Sequence, residues 1–340
     1  MIKVEEKYDI SQHLTMKVAS VVDYFATIRS KEELFEAIDF ANEKGIDIFV
    51  LGGGSNTIVT KKLNKLVVKN EIKGTEIISE DDNEVVLELM SGESWMKLVN
   101  YSVSNNWYGL ENLASIYGTV GAAPIQNIGA YGAEFSQVFS SLIAYDLKTK
   151  EEITFNNSDC HFGYRDSVFK NKYKGKLFIY SLRIKLKKKA DLNIEYKALK
   201  DEIEKLNTSS LLPKDVAMLV NKIRNEKLPN PSVLPNSGSF FKNPEISIEH
   251  LEKIKEKYPD IVSYKTDVEG VVKVPAAYLI EKSGYKGKRV GPVSMYEKQA
   301  LILVNHDNAS VNDLVNLVNL VQDKVKNEFA IDLEPEVNII

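Results

Sequence analysis

Gly163-Tyr-Arg-Asp-Ser-Val-Phe169 sets Arg165 among aromatic residues. A guanidinium in such a setting does one of two jobs. It pairs with a neighbouring acid, Asp166 being the nearest in sequence, or it offers a two-pronged fork to a substrate carboxylate. Ser239 stands in Ser237-Gly-Ser-Phe-Phe-Lys-Asn-Pro244. Phe241 occupies the place of the second glycine of the hydrolase Gly-x-Ser-x-Gly elbow, and no His lies nearby in sequence as a base. Ser239 is therefore either a turn residue or a proton donor rather than a nucleophile. Glu336 closes the set. Acids near a terminus are usually solvated, but Val337, Ile339 and Ile340 follow it in a strand pattern that could carry it inward.

Two glycine-rich stretches could hold a ligand around which these groups act. Gly52-Gly-Gly-Ser-Asn56 follows an apolar strand. Glycines let backbone N–H groups surround an anion, and Ser55 and Asn56 add polar side chains. It is not a Rossmann fingerprint. Thr57 stands where the third glycine is needed, and Ile58-Val-Thr60 opens a helix poorly. The second stretch, Gly118-Thr-Val-Gly-Ala-Ala-Pro-Ile-Gln-Asn-Ile-Gly-Ala-Tyr-Gly132, spaces Gly118 from Gly121 and Gly129 from Gly132 by three. Pro124, Gln126 and Asn127 lie between them. Each stretch alone could be a compact turn. Together they favour a large phosphate-bearing cofactor.

The elements that must position these groups are readable from periodicity. Ser30-Lys-Glu-Glu33 is a capping-box pattern before an apolar stripe at Leu34, Ala37, Ile38 and Ala41, and Gly45 ends that helix. Strands are predicted at Ile46–Leu51, Leu66–Lys69, Glu84–Met90, Leu142–Asp146 and Leu177–Leu186. Ser94–Asn105 reads as a helix with Trp95, Leu98 and Val99 on one face. Beyond residue 190 helical stripes become commoner: Val216, Leu219, Val220 and Ile223, then Leu251 and Ile254. A turn-rich segment, Leu228–Asn243, separates them. Ser310-Val-Asn-Asp313 caps a last helix, with Val311, Leu314, Val315, Val318 and Val321 expected on its buried face. No regular βαβ repetition and no internal repeat is visible.

Composition narrows the class. The chain has 340 residues, 44% hydrophobic and 27% charged, which is globular and, at about 150 residues per domain, gives roughly two domains or three small ones. A net charge of −4 leaves no broad basic surplus for a nucleic-acid backbone. Cys160 is the single cysteine, so neither an intrachain disulfide nor a cysteine-based metal cluster can form. His13, His161, His250 and His306 match no metal spacing, and no metal is expected. No apolar run reaches membrane-spanning length, and the acidic start does not resemble a signal peptide. A cytoplasmic protein with no membrane partner is expected.

The constellation resembles the UDP-N-acetylenolpyruvoylglucosamine reductase family, flavoenzymes of peptidoglycan precursor synthesis. The resemblance rests on Leu51-Gly-Gly-Gly-Ser-Asn56, Gly109-Leu-Glu-Asn-Leu113, Pro124-Ile-Gln-Asn-Ile-Gly-Ala-Tyr-Gly132, Phe162-Gly-Tyr-Arg-Asp-Ser-Val-Phe169, Gly238-Ser-Phe-Phe-Lys-Asn-Pro244 and Leu333-Glu-Pro-Glu-Val337, in family order over nearly the whole chain. It implies an α+β fold: a two-part FAD-binding domain of the vanillyl-alcohol-oxidase type plus a C-terminal α/β substrate domain. The expected divisions are 1–67, joined by the returning strand 330–340, then 68–205, and 206–329 for the substrate domain. The subclass implied carries a tyrosine-bearing substrate loop.

The resemblance also implies roles. Arg165, Ser239 and Glu336 correspond to the family's catalytic residues. Tyr196, Lys227 and Asn243 correspond to UDP-sugar contacts. FAD, held without a covalent bond, would lie against Gly52, Gly53, Gly54, Ser55, Asn56, Gly118, Gly121, Pro124, Gln126, Asn127, Gly129, Ala130 and Tyr131. NADPH is the implied electron donor, the enolpyruvyl sugar nucleotide the acceptor, and a monomer the expected state. One departure stands out: Tyr117 precedes Gly118 where the family usually has proline, which leaves that turn less stiff. A sugar or alcohol oxidase on the same flavin fold, a non-catalytic nucleotide-binding protein and a purely structural protein are the rival readings.

Overall fold

The computed structural model describes residues 2–60, 63–206 and 210–340. Two compact units emerge. One is built from the chain up to Tyr8, Val21–Gly54 and the run from Leu63 to Glu226; the other is built from Asp9–Ser20, the segment opening at Ser55, and Lys227–Ile340.

In the first unit, β1 (Val4–Asp9), β2 (Val21–Ile28), β3 (Asp47–Leu51) and β5 (Leu63–Asn70) form a sheet in the order β1-β2-β5-β3. β4 (Thr57–Ile58) belongs to the other unit. β2 and β3 both run parallel to β5, so α1 (Lys31–Lys44) is a crossover helix, a βαβ-like unit in a chain that shows no such repetition in its sequence. α1 buries the expected Leu34, Ala37, Ile38 and Ala41. Ser30 accepts from the Glu33 N–H, but Glu33 reaches back to the Arg29 N–H at 2.6 Å instead of closing the box on Ser30. Gly45 takes the left-handed cap, φ +64°.

A second sheet of this unit has the order β11-β10-β12-β7-β6: β6 is Thr75–Glu80, β7 Glu84–Met90, β10 Phe139–Asp146, β11 Glu152–Asn156 and β12 Leu177–Lys187. Between them lie α2 (Trp95–Ser104) and a short hairpin of β8 (Gly129–Ala130) and β9 (Ala133–Glu134). α3 (Lys197–Ile203) and α4 (Pro213–Lys227) follow, and α4 buries Val216, Leu219, Val220 and Ile223 in the same core as Trp95, Phe135 and Leu182.

The second unit holds the sheet β13-β19-β18-β17, from Asn236–Ser239, Ile302–Asn305, Val293–Met295 and Arg289–Val290 respectively. A smaller sheet joins β14 (Glu245–Ser247), β16 (Val271–Lys273) and β15 (Tyr264–Lys265). α5 (Ile248–Lys257) packs on β14 and β16 of this smaller sheet, while α7 (Val311–Phe329) packs on β18 and on α6 (Ala276–Lys282). Ser310 and Asp313 close a full capping box on α7. Its buried face uses Leu317 (0% exposed) rather than the expected Val315 (39%), because 314, 317, 318 and 321 follow the 3.6-residue period and 315 drifts off it. The terminal strand β20 (Asn338–Ile339) pairs in parallel with β4. The strand pattern after Glu336 is met only in part: Val337 is buried, but Ile339, two residues on, is exposed.

Candidate active site

In the first unit the two glycine stretches meet. A Cβ on Gly52 would lie 2.5 Å from Thr119 Oγ1, and one on Gly53 would lie 2.7 Å from the Gly118 Cα. Glycine at 53 is thus demanded by backbone-to-backbone contact and not by a left-handed conformation. The 118–121 segment is pinned on its other side. Trp95 N–H donates to the Gly118 carbonyl, Val120 N–H to Glu93, and Gly121 N–H to Ser91 at 2.8 Å. These three bonds fix the turn that Tyr117 leaves without a proline.

Lys69 on β5 donates to the Gly52 carbonyl. The ammonium is half-buried, and burial lowers its pKa against the opposing pull of Glu71. Sequence reasoning missed this residue. Its signal was a lysine closing the otherwise apolar run Leu66-Val-Val-Lys69.

The 124–132 segment folds onto Arg165. The Arg165 Nη2 donates to the Gly129 carbonyl at 2.6 Å. Arg165 sits in left-handed backbone, φ +53°, within a tight turn in which Gly163 and Asp166 exchange backbone hydrogen bonds. The Asp166 carboxylate accepts from Asn171 Nδ2 at 2.9 Å. Asn127 is buried and itself left-handed, φ +46°. Its amide donates to Glu134 Oε2 and the Gly163 carbonyl and accepts from the Ser136 N–H. Asn127 therefore locks the glycine segment against the arginine turn. Gln126 and Ala130 are half-buried on the same segment and Pro124 is buried.

Beside Arg165 lies a second arginine that sequence reasoning passed over. Arg224, on α4, interacts electrostatically with Tyr131, and its Nε is buried with no hydrogen-bond partner among the described residues. Burial, with the charge of Arg165, lowers its pKa, while Tyr131 and Tyr117 pull the other way. Tyr131 in turn meets Tyr196 edge-on at 5.1 Å, and Tyr196 is 46% exposed. The signal lay in α4's periodicity: 224 falls four residues after Val220, on the apolar stripe where an arginine is out of place. One turn earlier on that helix, Asn221 is held by Ser115.

The second unit gathers the remaining candidates. At β13 a bulge between Asn236 and Ser239, with Gly238 at φ +72°, breaks the register against β19 and leaves Ser239 exposed. Phe240 and Phe241 are each 1% exposed and anchor the chain immediately after that point. Phe241 bridges Pro335, and the Glu336 N–H donates to the Phe240 carbonyl at 2.7 Å. Ser239 and Glu336 thus lie on neighbouring, paired stretches. Glu336 is half-buried, and its carbonyl accepts from Asn56 Nδ2 at 3.3 Å. Asn243 Oδ1 accepts from the first N–H of α6, Ala276, at 3.0 Å. Lys227, the last residue of α4, is exposed.

The residues fit a dinucleotide cofactor on their chemistry. Two glycine stretches in close backbone contact, left-handed turns at Gly54 and Asn127, and the half-buried cations Lys69, Arg165 and Arg224 nearby are what a pyrophosphate needs. An FAD-binding domain model matches residues 22–150. The class is therefore a flavoprotein that uses FAD. A model of the UDP-N-acetylenolpyruvoylglucosamine reductase C-terminal domain matches residues 230–340. The chain is 41% identical to the reductase of that name from Flavobacterium johnsoniae over 100% of both chains, and 37% identical to the one from Pseudomonas aeruginosa over 99% of each. It belongs to the UDP-N-acetylenolpyruvoylglucosamine reductase family, as the motifs imply. The crystal structure of the Thermus caldophilus reductase, 22% identical, shares the fold, with a TM-score of 0.68 over 100% of this chain and 99% of that one. The α+β class is the expected one, with an FAD-binding domain ahead of the reductase C-terminal domain.

Proposed function

We propose that this protein reduces the enolpyruvyl group of UDP-N-acetylglucosamine enolpyruvate to UDP-N-acetylmuramate, with FAD as cofactor and NADPH as electron donor. The observation that supports it best is the bond from Arg165 to Gly129: the group suited to grip a carboxylate is fixed to a glycine segment assigned to the cofactor. Bound FAD supplies the hydride chemistry. Arg165 holds the substrate carboxylate and stabilises charge that develops on the adjacent carbon, where preorganised charge is most effective. Arg224 adds a second cation near Arg165. Ser239 delivers a proton to the same carbon. A hydroxyl is a weak acid, so the transfer depends on a strongly basic carbanion-like partner and on fixed geometry. Glu336 orients the carboxylate.

Tyr196, Lys227 and Asn243 contact the UDP-sugar in this assignment. Residues 52–56, Gly118, Gly121, Pro124, Gln126, Asn127, Gly129, Ala130 and Tyr131 face FAD in the same assignment. The three-part division at 67/68, 205/206 and 329/330 stands as a proposal with them. Among the described residues, no helix is long and apolar enough to cross a membrane. We extend the proposal to a cytoplasmic monomer that binds no nucleic acid, the last in keeping with the net charge of −4.

The test is spectral. Purified protein should show a flavin spectrum that NADPH bleaches under anaerobic conditions. Adding the enolpyruvyl sugar nucleotide should restore it, with one product formed per NADPH consumed. Colourless protein from flavin-replete cells, or bleached protein that the sugar nucleotide does not reoxidise, would overturn the assignment. Reoxidation by oxygen, with an alcohol as electron source and no response to NADPH, would point to an oxidase.

A further inference from the structure

Three features converge on one peptide unit in the first unit. Lys69 donates to the Gly52 carbonyl. A trans peptide sets its C=O and N–H in opposite directions, and no cis peptide occurs among the described residues. The N–H on the same peptide belongs to Gly53 and therefore points away from Lys69. That N–H meets no hydrogen-bond partner among the described residues. It is also the residue with no room for a side chain against Gly118.

A cation bonded to a carbonyl polarises the attached N–H, and in a half-buried setting that polarisation is poorly screened. Lys69 follows three buried residues of its strand, Leu66, Val67 and Val68, and is itself half-buried, where a lysine is costly without a partner. Lys73, four residues on, repeats the arrangement by donating to the Gly92 carbonyl. There the attached Glu93 N–H is already spent on the Met90 carbonyl at 3.0 Å. Only the Lys69 peptide leaves a donor open.

We propose that Lys69 is a positioning residue for the cofactor: by holding the Gly52 carbonyl it fixes and polarises the Gly53 N–H as a donor to the diphosphate of FAD. This rests on the proposed flavoenzyme assignment. Lys69 itself touches no ligand; its effect runs through one peptide bond. The effect must therefore follow the phosphates and not the flavin ring.

The experiment removes bound flavin from wild-type protein, K69M and K69Q, and measures rebinding of FAD and of riboflavin by fluorescence quenching at low and high salt. Circular dichroism checks that each apoprotein is folded. K69M should bind FAD about tenfold more weakly, the scale of one charge-assisted hydrogen bond. Riboflavin, which has no phosphate, should change less than twofold, and the FAD deficit should shrink in high salt. If K69M does not fold, K69Q carries the test: it keeps a donor to Gly52, loses the charge, and should still weaken FAD several-fold. FAD affinity within twofold of wild type in a folded variant, or an equal loss for riboflavin, would overturn the proposal. Failure of wild-type protein to bind FAD would strike the flavoenzyme assignment instead.

Discussion

The two units hold their reactive candidates by different means. In the first, Arg165 is placed by side chains and strained backbone. Its own φ is +53°, its guanidinium is bonded to the Gly129 carbonyl, and the buried Asn127 ties that segment to Gly163. A non-glycine residue in left-handed backbone costs roughly 1–2 kcal/mol. In the second, Ser239 and Glu336 are placed by main-chain pairing and two buried phenylalanines, and the Ser239 side chain is exposed. Geometry that rests on backbone pairing survives loss of a side chain. Geometry that rests on a mesh of buried polar groups does not.

The largest expected effect follows from this difference. Ser239→Ala should leave stability and FAD content unchanged and still oxidise NADPH in the first half-reaction. Turnover of the enolpyruvyl substrate should fall by roughly 10²–10⁴-fold, the usual contribution of a positioned acid. Stopped-flow of the two half-reactions separates these outcomes. Near-normal reduction of the substrate would remove Ser239 from the proton path. A large drop in melting temperature would remove the contrast between the units.

Arg165→Lys comes next. A point charge cannot reproduce the fork, and it also loses the bond to Gly129. Turnover should fall on the order of 10²-fold, as when one electrostatic donor is removed from a polar site. Unlike the serine variant, it should also lose stability, since it disturbs the mesh. Little change in either quantity would break the comparison from the other side.

Gly53→Ala tests packing alone. The new methyl would lie 2.7 Å from the Gly118 Cα, and neither is the end of a flexible side chain. Overpacking of this kind costs roughly 1–3 kcal/mol. The variant should melt lower and hold less FAD. Gly45→Ala is the control, since a Cβ there meets nothing within 4 Å and only the left-handed φ penalises it.

How much of this was legible beforehand divides along the same line. Features with a local cause were readable. The Ser30 and Ser310 caps, the Gly45 stop, the strand Glu84–Met90 and the stripe on α1 all follow from residue type and period. The motifs were readable because several of them recur in order. What could not be read came from contacts distant in sequence. Gly53 needs Gly118, Lys69 needs Gly52, and Arg224 needs Tyr131. Each partner looks ordinary on its own. The bulge at Gly238 that turns Ser239 outward was equally invisible, because it depends on the register with β19.

The smallest effect concerns a residue with two possible duties. Asn243 caps α6 by accepting the Ala276 N–H, and it is also a candidate UDP-sugar contact. Asn243→Ala removes the acceptor and should cost about 1 kcal/mol, or roughly 2–4 °C of melting temperature for a domain of this size. Asn243→Asp keeps the acceptor and adds a negative charge that suits a helix N-terminus, so stability should hold. The amide N–H₂ is lost in both. If that group touches the sugar nucleotide, Asn243→Asp raises KM with its fold intact, and the aspartate charge adds repulsion toward a diphosphate. If Asn243 only caps the helix, Asn243→Asp keeps wild-type kinetics, and the fault in Asn243→Ala is confined to its melting curve.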